Sequence, residues 1–314
     1  MSSFWISFNA VIPFVLYLSY GWAARRAGIT DADILKKMNK VTFRCFYPLL
    51  MFENMYSMGG SYPLSRAFTL LAMGSLALSM GLAACLIPRI LKDPKQIPVM
   101  IQGIYRSNIL LFALPLVENL FGSSEAHKAA ALLVIVVPVY NISATIFLEL
   151  YSDRGKTAPA KFLYNILTTP LVAGALVGML FVLLKIPVAP QVMKVIENFS
   201  DLTTPLALFI LGGTLQFESL GKHLKMLTAA LFVKMFCIPA LLLVPAVAAG
   251  IPPIERFLLT VALYATPVAT ASFPMAQAYD ADADLAGEQV VYTTLAAVPV
   301  IFLWIMFLAS AGLL

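Results

Sequence analysis

Long apolar runs separated by short polar stretches make up almost the whole chain. A membrane-spanning helix needs about 20 predominantly apolar residues, and ten such runs fit the sequence. We expect spans at about 4–23, 38–57, 66–88, 97–121, 127–149, 160–184, 195–215, 224–248, 252–278 and 285–312. The connections between them are only a few polar residues long. The pattern therefore predicts an all-α polytopic membrane protein without a separate soluble domain.

Composition supports this class and narrows the choice of partners. The 314 residues are 61% hydrophobic and 12% charged, with a mean hydropathy of +0.88, whereas soluble domains carry about 25% charged residues. The net charge of +5 does not indicate a nucleic-acid partner, because basic residues collect in the cytoplasmic loops of membrane proteins. The three cysteines lie far apart in apolar segments and have neither disulfide nor metal-site spacing.

Lysines and arginines concentrate in the loops that follow odd-numbered spans, for example at Arg25, Arg89 and Lys225. Such loops are cytoplasmic by the positive-inside rule. Arg25 and Arg26 follow the first apolar run rather than preceding it, so this run is expected to be a span and not a cleaved signal. The expected orientation places both termini outside the cytoplasm, in a chain that crosses the inner (plasma) membrane.

The two halves of the chain share a pattern of prolines. Pro48 and Pro205 are each followed by leucine, and Phe112-Ala-Leu-Pro115 resembles Ala271-Ser-Phe-Pro274. Each half holds five spans, and because five is odd the second half enters the membrane from the opposite side. The expected boundaries are 1–150 for the first repeat, 151–158 for a short cytoplasmic linker and 159–314 for the second repeat. Inverted repeats of this kind are typical of secondary transporters.

Two spans carry residues that are costly inside a membrane helix. Span 4 contains Arg106, Asn108 and Pro115, and span 9 contains Pro267 and Pro274. A charge near the centre of a membrane helix costs roughly 2.5–3.5 kcal/mol, and an interior proline about 3 kcal/mol. We expect breaks at Pro115 and Pro274, with Pro267 a further candidate. Ordinary kinks satisfied by neighbouring helices are the alternative.

Broken spans at corresponding positions of two repeats are a sequence indicator of a transport site. The freed N-termini of half-helices carry partial positive charge and unpaired N–H groups, which suit an anion. Thr270 and Ser272 lie beside the expected break in span 9 and add hydroxyl groups to it. We therefore expect an anion site formed by Pro115, Pro274, Thr270 and Ser272 together with polar residues of span 4.

Five motifs resemble those of the auxin efflux carrier family, and the resemblance extends over all ten spans. The short middle connection is similar to that of the prokaryotic, malonate-type members rather than to the long loop of the plant PIN-type carriers. The motifs are Pro48-Leu-Leu-Met-Phe52, Arg106-Ser-Asn108 with Leu114-Pro115, Tyr140-Asn141, Leu211-Gly-Gly-Thr-Leu-Gln216 and Phe273-Pro-Met-Ala-Gln-Ala-Tyr279.

This resemblance implies a fold like that of bile-acid transporters and sodium–proton antiporters, in which spans 4 and 9 cross. Spans 1, 2, 6 and 7 would form a scaffold that often dimerises, and spans 3–5 and 8–10 a transport domain that moves like an elevator. The substrate would be a small organic anion bound beside the crossing, without a cofactor. Asn108 and Asn141 match the asparagines of that site, although both are also of the type that packs helices together.

Other polar residues in the spans have two interpretations each. Arg106 either neutralises a carboxylate or bonds the freed carbonyl groups of span 9; its regular-helix angle from Asn108 favours the second, and Gln277 is placed with it as a crossing residue. Glu53, Asp201 and Lys234 are candidates for ion coupling. The two acids lie near span ends, where plain solvation is an equal explanation, and Lys234 lacks an evident partner.

The coupling ion and the rival functions follow from the same residues. A sodium site usually contains a carboxylate, and span 9 has none near its break, so we expect coupling to protons or uniport. A sodium-coupled symporter of the bile-acid-transporter type is the alternative. An intramembrane enzyme is not expected, because both histidines lie in loops and no nucleophile–base set is recognisable. A sensor without transport is a further alternative.

Overall fold

The structure, a computed structural model, describes residues 3–57, 64–122, 125–152, 163–165, 167–214 and 223–314. All regular structure in these ranges is helical. The predicted linker at 151–158 lies almost entirely outside them. The helices are α1 Ser3–Arg26, α2 Ala32–Val41, α3 Tyr47–Tyr56, α4 Arg66–Ile90, α5 Ile97–Tyr105, α6 Ile109–Phe121, α7 Ala126–Tyr151, α8 Pro170–Leu183, α9 Pro190–Thr214, α10 Leu224–Phe232, α11 Ile238–Ala248, α12 Pro253–Phe257, α13 Ser272–Ala278 and α14 Ala283–Ser310.

Two π-helical segments, Thr42–Phe46 and Val233–Cys237, join neighbouring helices into longer rods, and a third, Leu258–Ala265, extends α12. Four rods in the described ranges are long and apolar enough to cross a bilayer, and they span Arg66–Ile90, Lys128–Tyr151, Leu224–Ala248 and Ala283–Ser310. Helix α8 is apolar but shorter. The architecture agrees with the expected all-α polytopic membrane protein.

Both expected breaks exist, but neither lies at the proline favoured from the sequence, Pro115 or Pro274, and the one in span 9 contains the further candidate Pro267. In span 4, α5 ends at Tyr105 and α6 begins at Ile109, so the break is Arg106–Asn108 and the helix runs on through position 115. Arg106 has an extended backbone (φ −85°, ψ 125°). The expectation that Pro115 breaks this span is therefore wrong.

In span 9, the π-helical segment ends at Ala265 and α13 begins at Ser272, so Pro267 lies inside the break. Pro274 lies in the first turn of α13, where a proline is tolerated because the N–H it lacks would have no partner within the helix. The break thus belongs to Pro267, and its assignment to Pro274 is wrong. The N–H of Asn108 donates to the carbonyl of Pro267 at 2.8 Å, so the two breaks meet.

A proline also explains one contact between long rods. Pro239 has no N–H to offer the carbonyl of Met235, four residues earlier, in the π-helical segment Val233–Cys237. The indole Nε1 of Trp304 donates to that carbonyl at 2.8 Å instead. This bond ties the rod that holds α10 and α11 to α14.

Glycines allow α1, α3, α8 and α9 to pack closely, and we call these four helices the glycine-packed bundle. A Cβ atom on Gly212 would overlap the carbonyl oxygen of Leu18, and one on Gly174 would overlap that of Pro48. Helix α1 packs extensively on α9, and α3 on α8. The small-residue face Gly174-Ala-Leu-Val-Gly178 is therefore covered by α3.

Candidate functional site

A cavity of about 60 Å³ lies beside the meeting point of the two breaks, and we call it the crossing cavity. The residues of both breaks and of α3, α7 and α9 form its wall. Its polar lining residues are Tyr47, Asn54, Arg106, Ser107, Asn108, Tyr140, Asn141, Thr204 and Thr270. Four of the predicted site residues are thus brought together from spans 4, 5 and 9, although they are far apart in the sequence.

Arg106 is 2% exposed, and its guanidinium lies against the cavity wall. Nη2 donates to Asn141 Oδ1 at 2.9 Å, and Nη1 donates to Gln102 Oε1 at 2.9 Å and to Met275 Sδ at 3.0 Å. None of these three acceptors is a backbone carbonyl group of span 9, contrary to the expectation for Arg106. The regular-helix angle from Asn108 does not apply, because the backbone is extended at Arg106.

Several donors of the crossing cavity have no hydrogen-bond partner. Asn108 is 7% exposed and its Nδ2 is unpaired, as are Arg106 Nε and Asn54 Nδ2. Asn141 is engaged on both atoms, since its Nδ2 donates to Met51 Sδ at 2.8 Å. Among the described lining residues there is no carboxylate. The cavity therefore offers N–H donors and one buried cation.

Lys234, rather than Arg106, donates hydrogen bonds to the freed carbonyl groups of span 9. It is fully buried, and its Nζ donates to Tyr264 O at 2.8 Å, to Thr266 O at 2.6 Å and to Ser107 Oγ at 2.6 Å. An ammonium group has three donors, and all three are used. The two carbonyl groups are at the C-terminal end of the first half of span 9, where a cation is favourable. Lys234 therefore stabilises the crossing.

Comparison with models of protein families shows to which family the chain belongs. A family model described as membrane transport protein matches residues 6–162 and 158–305. The chain belongs to this membrane transport protein family. The resemblance to the auxin efflux carrier family is thereby confirmed. A comparison with curated proteins found no significant match.

Three further predicted residues of the transporter, Ser272, Pro274 and Gln277, lie outside the lining of the crossing cavity. Ser272 and Pro274 are buried in α13 but do not line the crossing cavity. Gln277 lies at the far end of α13, where its Oε1 accepts from Asn39 Nδ2 at 2.5 Å. Gln277 is therefore not a lining residue of the crossing.

The predicted coupling acids lie elsewhere. Glu53 is half-buried on α3 and Asp201 is exposed on α9, and neither lines the crossing cavity. In the described part of the chain, no group of three histidine, cysteine, aspartate or glutamate residues is placed to hold a metal ion.

Three buried acids of the transporter were missed by the sequence reasoning. Glu149, Glu255 and Glu288 are 1%, 3% and 1% exposed. Glu255 accepts from the backbone N–H of Ser65 at 2.9 Å and also from its hydroxyl, and Glu288 Oε2 lies 2.9 Å from His223 Nδ1. Each acid falls close to the expected end of an apolar span, and this position makes a buried acid resemble a solvated one.

Proposed function

We propose that this transporter carries a small organic anion with a carboxylate group and binds it in the crossing cavity. The observation that supports this is the set of unpaired N–H donors, Asn108 Nδ2, Arg106 Nε and Asn54 Nδ2, around a cavity whose described lining residues include no acid. A buried donor without a partner costs about 1–3 kcal/mol. A carboxylate has about four acceptor sites, so it satisfies these donors and the arginine charge together.

The size of the cavity argues for a carrier that moves during transport. Ligand sites usually measure about 300–1,000 Å³, whereas the crossing cavity measures about 60 Å³. A carboxylate larger than a few atoms therefore needs the cavity to open. We assign the glycine-packed bundle, with α2, to a scaffold, and the helices that carry the two breaks to a moving domain. Displacement of that domain opens the cavity to each side in turn, as in an elevator.

The same proposal covers the arrangement in the membrane. The chain forms ten spans as two inverted five-span repeats, 1–150 and 159–314, in the inner membrane with both termini outside the cytoplasm. Two copies associate through their scaffolds. Coupling is to protons, or transport is uniport, because a sodium site would need a carboxylate, and the described residues that line the crossing cavity include none.

Uptake of labelled carboxylates into proteoliposomes tests the proposal. Wild type is compared with Asn108→Ala, which removes an unpaired donor, and with Asn108→Asp, which places a negative charge there. We expect roughly a ten- to hundredfold loss of uptake for the alanine variant, because one hydrogen bond to a charged group is worth about 1.5–3 kcal/mol, and a greater loss for the aspartate variant.

Asn198→Ala is the matched control, since Asn198 is exposed on α9 and should transport as wild type does. If no organic acid in a broad panel is transported by the wild type, the proposed function is wrong. If Asn108→Ala transports normally, only the site is wrong. Thermal-shift screening of the same acids supplies an independent readout, because a ligand stabilises the folded state in proportion to ln(1 + [L]/Kd).

A further inference from the structure

A second polar cavity, of about 360 Å³, lies at the end of the molecule predicted to be cytoplasmic, and we call it the end cavity. It is lined on one side by Lys36 and Lys40 of α2 and by Arg44, and on the other by Glu149 of α7 and by Tyr279. The three basic residues are exposed. The end cavity is thus open to water and has cations at its rim.

Three hydrogen bonds in and around the end cavity join the proposed scaffold to the proposed moving domain. Asn165 Nδ2 donates to Glu149 Oε1 at 2.6 Å, and the hydroxyl groups of Thr169 and Tyr279 lie 2.6 Å apart. The third is the bond from Asn39 to Gln277. Asn39, Asn165 and Thr169 lie on or beside the proposed scaffold, whereas their partners follow or belong to α7 and α13 of the proposed moving domain. Any elevator displacement has to break these bonds.

Glu149 is the buried titratable group of this boundary. Its Oε1 has one neutral donor, Asn165, and its Oε2 has no hydrogen-bond partner. No ion pair with Glu149 occurs among the residues that the structure describes. A proton on Oε2 would therefore leave the bond from Asn165 to Oε1 in place.

The other candidate groups are already engaged or lie apart. Lys234 uses all three donors at the crossing, and Glu255 accepts twice from Ser65. Glu288 has His223 beside it. Among these buried groups, Glu149 alone both lines the end cavity and lies between the proposed scaffold and the proposed moving domain.

We infer that Glu149 is the binding site of the coupling proton, an inference that rests on the proposed function. The titratable groups that face it in the described residues are Lys36, Lys40 and Arg44 of the scaffold side and Tyr279 of its own side. Ionised Glu149 is attracted by those three cations and holds the domains together. A proton taken from water in the end cavity cancels this attraction and frees the domain to move, and the proton is released to water on the other side.

The experiment measures substrate uptake into proteoliposomes with and without a pH gradient, at a membrane potential clamped to zero, while an internal pH-sensitive dye follows proton flux. We expect the gradient to accelerate uptake by wild type and substrate to drive proton movement. Glu149→Gln keeps the acceptor for Asn165 but cannot titrate, so the gradient should no longer change its uptake rate. Glu149→Asp, which keeps a carboxyl group, should retain stimulation.

Glu53→Gln is the matched control, because Glu53 lies on α3 outside the end cavity, and it should respond to the gradient as wild type does. Stimulation that persists in Glu149→Gln, or that disappears in Glu53→Gln instead, overturns the inference. So does wild-type transport without proton movement, a measurement that needs no variant to fold. Absence of any organic-anion transport by wild type would instead refute the proposed function on which the inference rests.

Discussion

The role of Lys234 at the crossing gives the sharpest structural prediction. Replacement by methionine keeps a flexible apolar side chain of similar length and removes the ammonium group. The carbonyl groups of Tyr264 and Thr266, which accept from Nζ at 2.8 and 2.6 Å, then lose their donor. Both residues are fully buried, so water cannot easily replace it.

The cost of Lys234→Met can be estimated from these two acceptors. Each buried acceptor left unsatisfied costs about 1–3 kcal/mol, which gives roughly 2–6 kcal/mol for the pair. Methionine does not pay the desolvation cost of a buried charge, and this offsets part of the loss. We expect a net destabilisation of about 2–4 kcal/mol, equivalent to a fall in the melting temperature of roughly 4–16 °C at about 2–4 °C per kcal/mol.

Thermal unfolding of the purified protein in detergent, at a fixed scan rate, measures this fall. Lys225→Met is the control, because Lys225 lies in the same rod but is exposed, and its melting temperature should match that of wild type. If Lys234→Met melts with the Lys225→Met control, the ammonium is not what stabilises the crossing, and the reasoning fails.

The remaining predictions concern packing and pH. Gly212→Ala should lower the melting temperature, because its Cβ would overlap the carbonyl oxygen of Leu18, whereas Gly74→Ala, with open space around the added carbon, should be neutral or stabilising; equal melting temperatures would contradict the close packing. The Lys95 ammonium holds the pKa of Asp280 below its usual value, so this exposed pair should contribute at most about 1 kcal/mol at neutral pH, lost as the pH falls through the folded-state pKa. The difference in melting temperature between wild type and Asp280→Asn should therefore vanish in acid, and a difference that grows there would refute it.

The sequence located the broken spans but not the breaks themselves. The effect of a proline depends on where the helix begins, which the sequence does not show. Pro274 lies in the first turn of α13 and is tolerated, whereas Pro267 lies in the non-helical stretch between Ala265 and Ser272. In span 4 the break at Arg106–Asn108 is held by the bond from the Asn108 N–H to the carbonyl of Pro267. That bond joins residues from opposite halves of the chain, so no local pattern predicts it.

The sequence alone determined the all-α membrane class, the transport family and the stretch around Asn108, because apolar run length and costly polar residues are properties of the chain itself. The tertiary structure was needed to show that Lys234, not Arg106, bonds the freed carbonyl groups, and that Glu149 is buried beside the end cavity. Hydrogen bonds in a membrane protein form between atoms within about 3 Å. Which side chain reaches a given carbonyl is therefore set by how the helices pack, and not by the order of residues along any one of them.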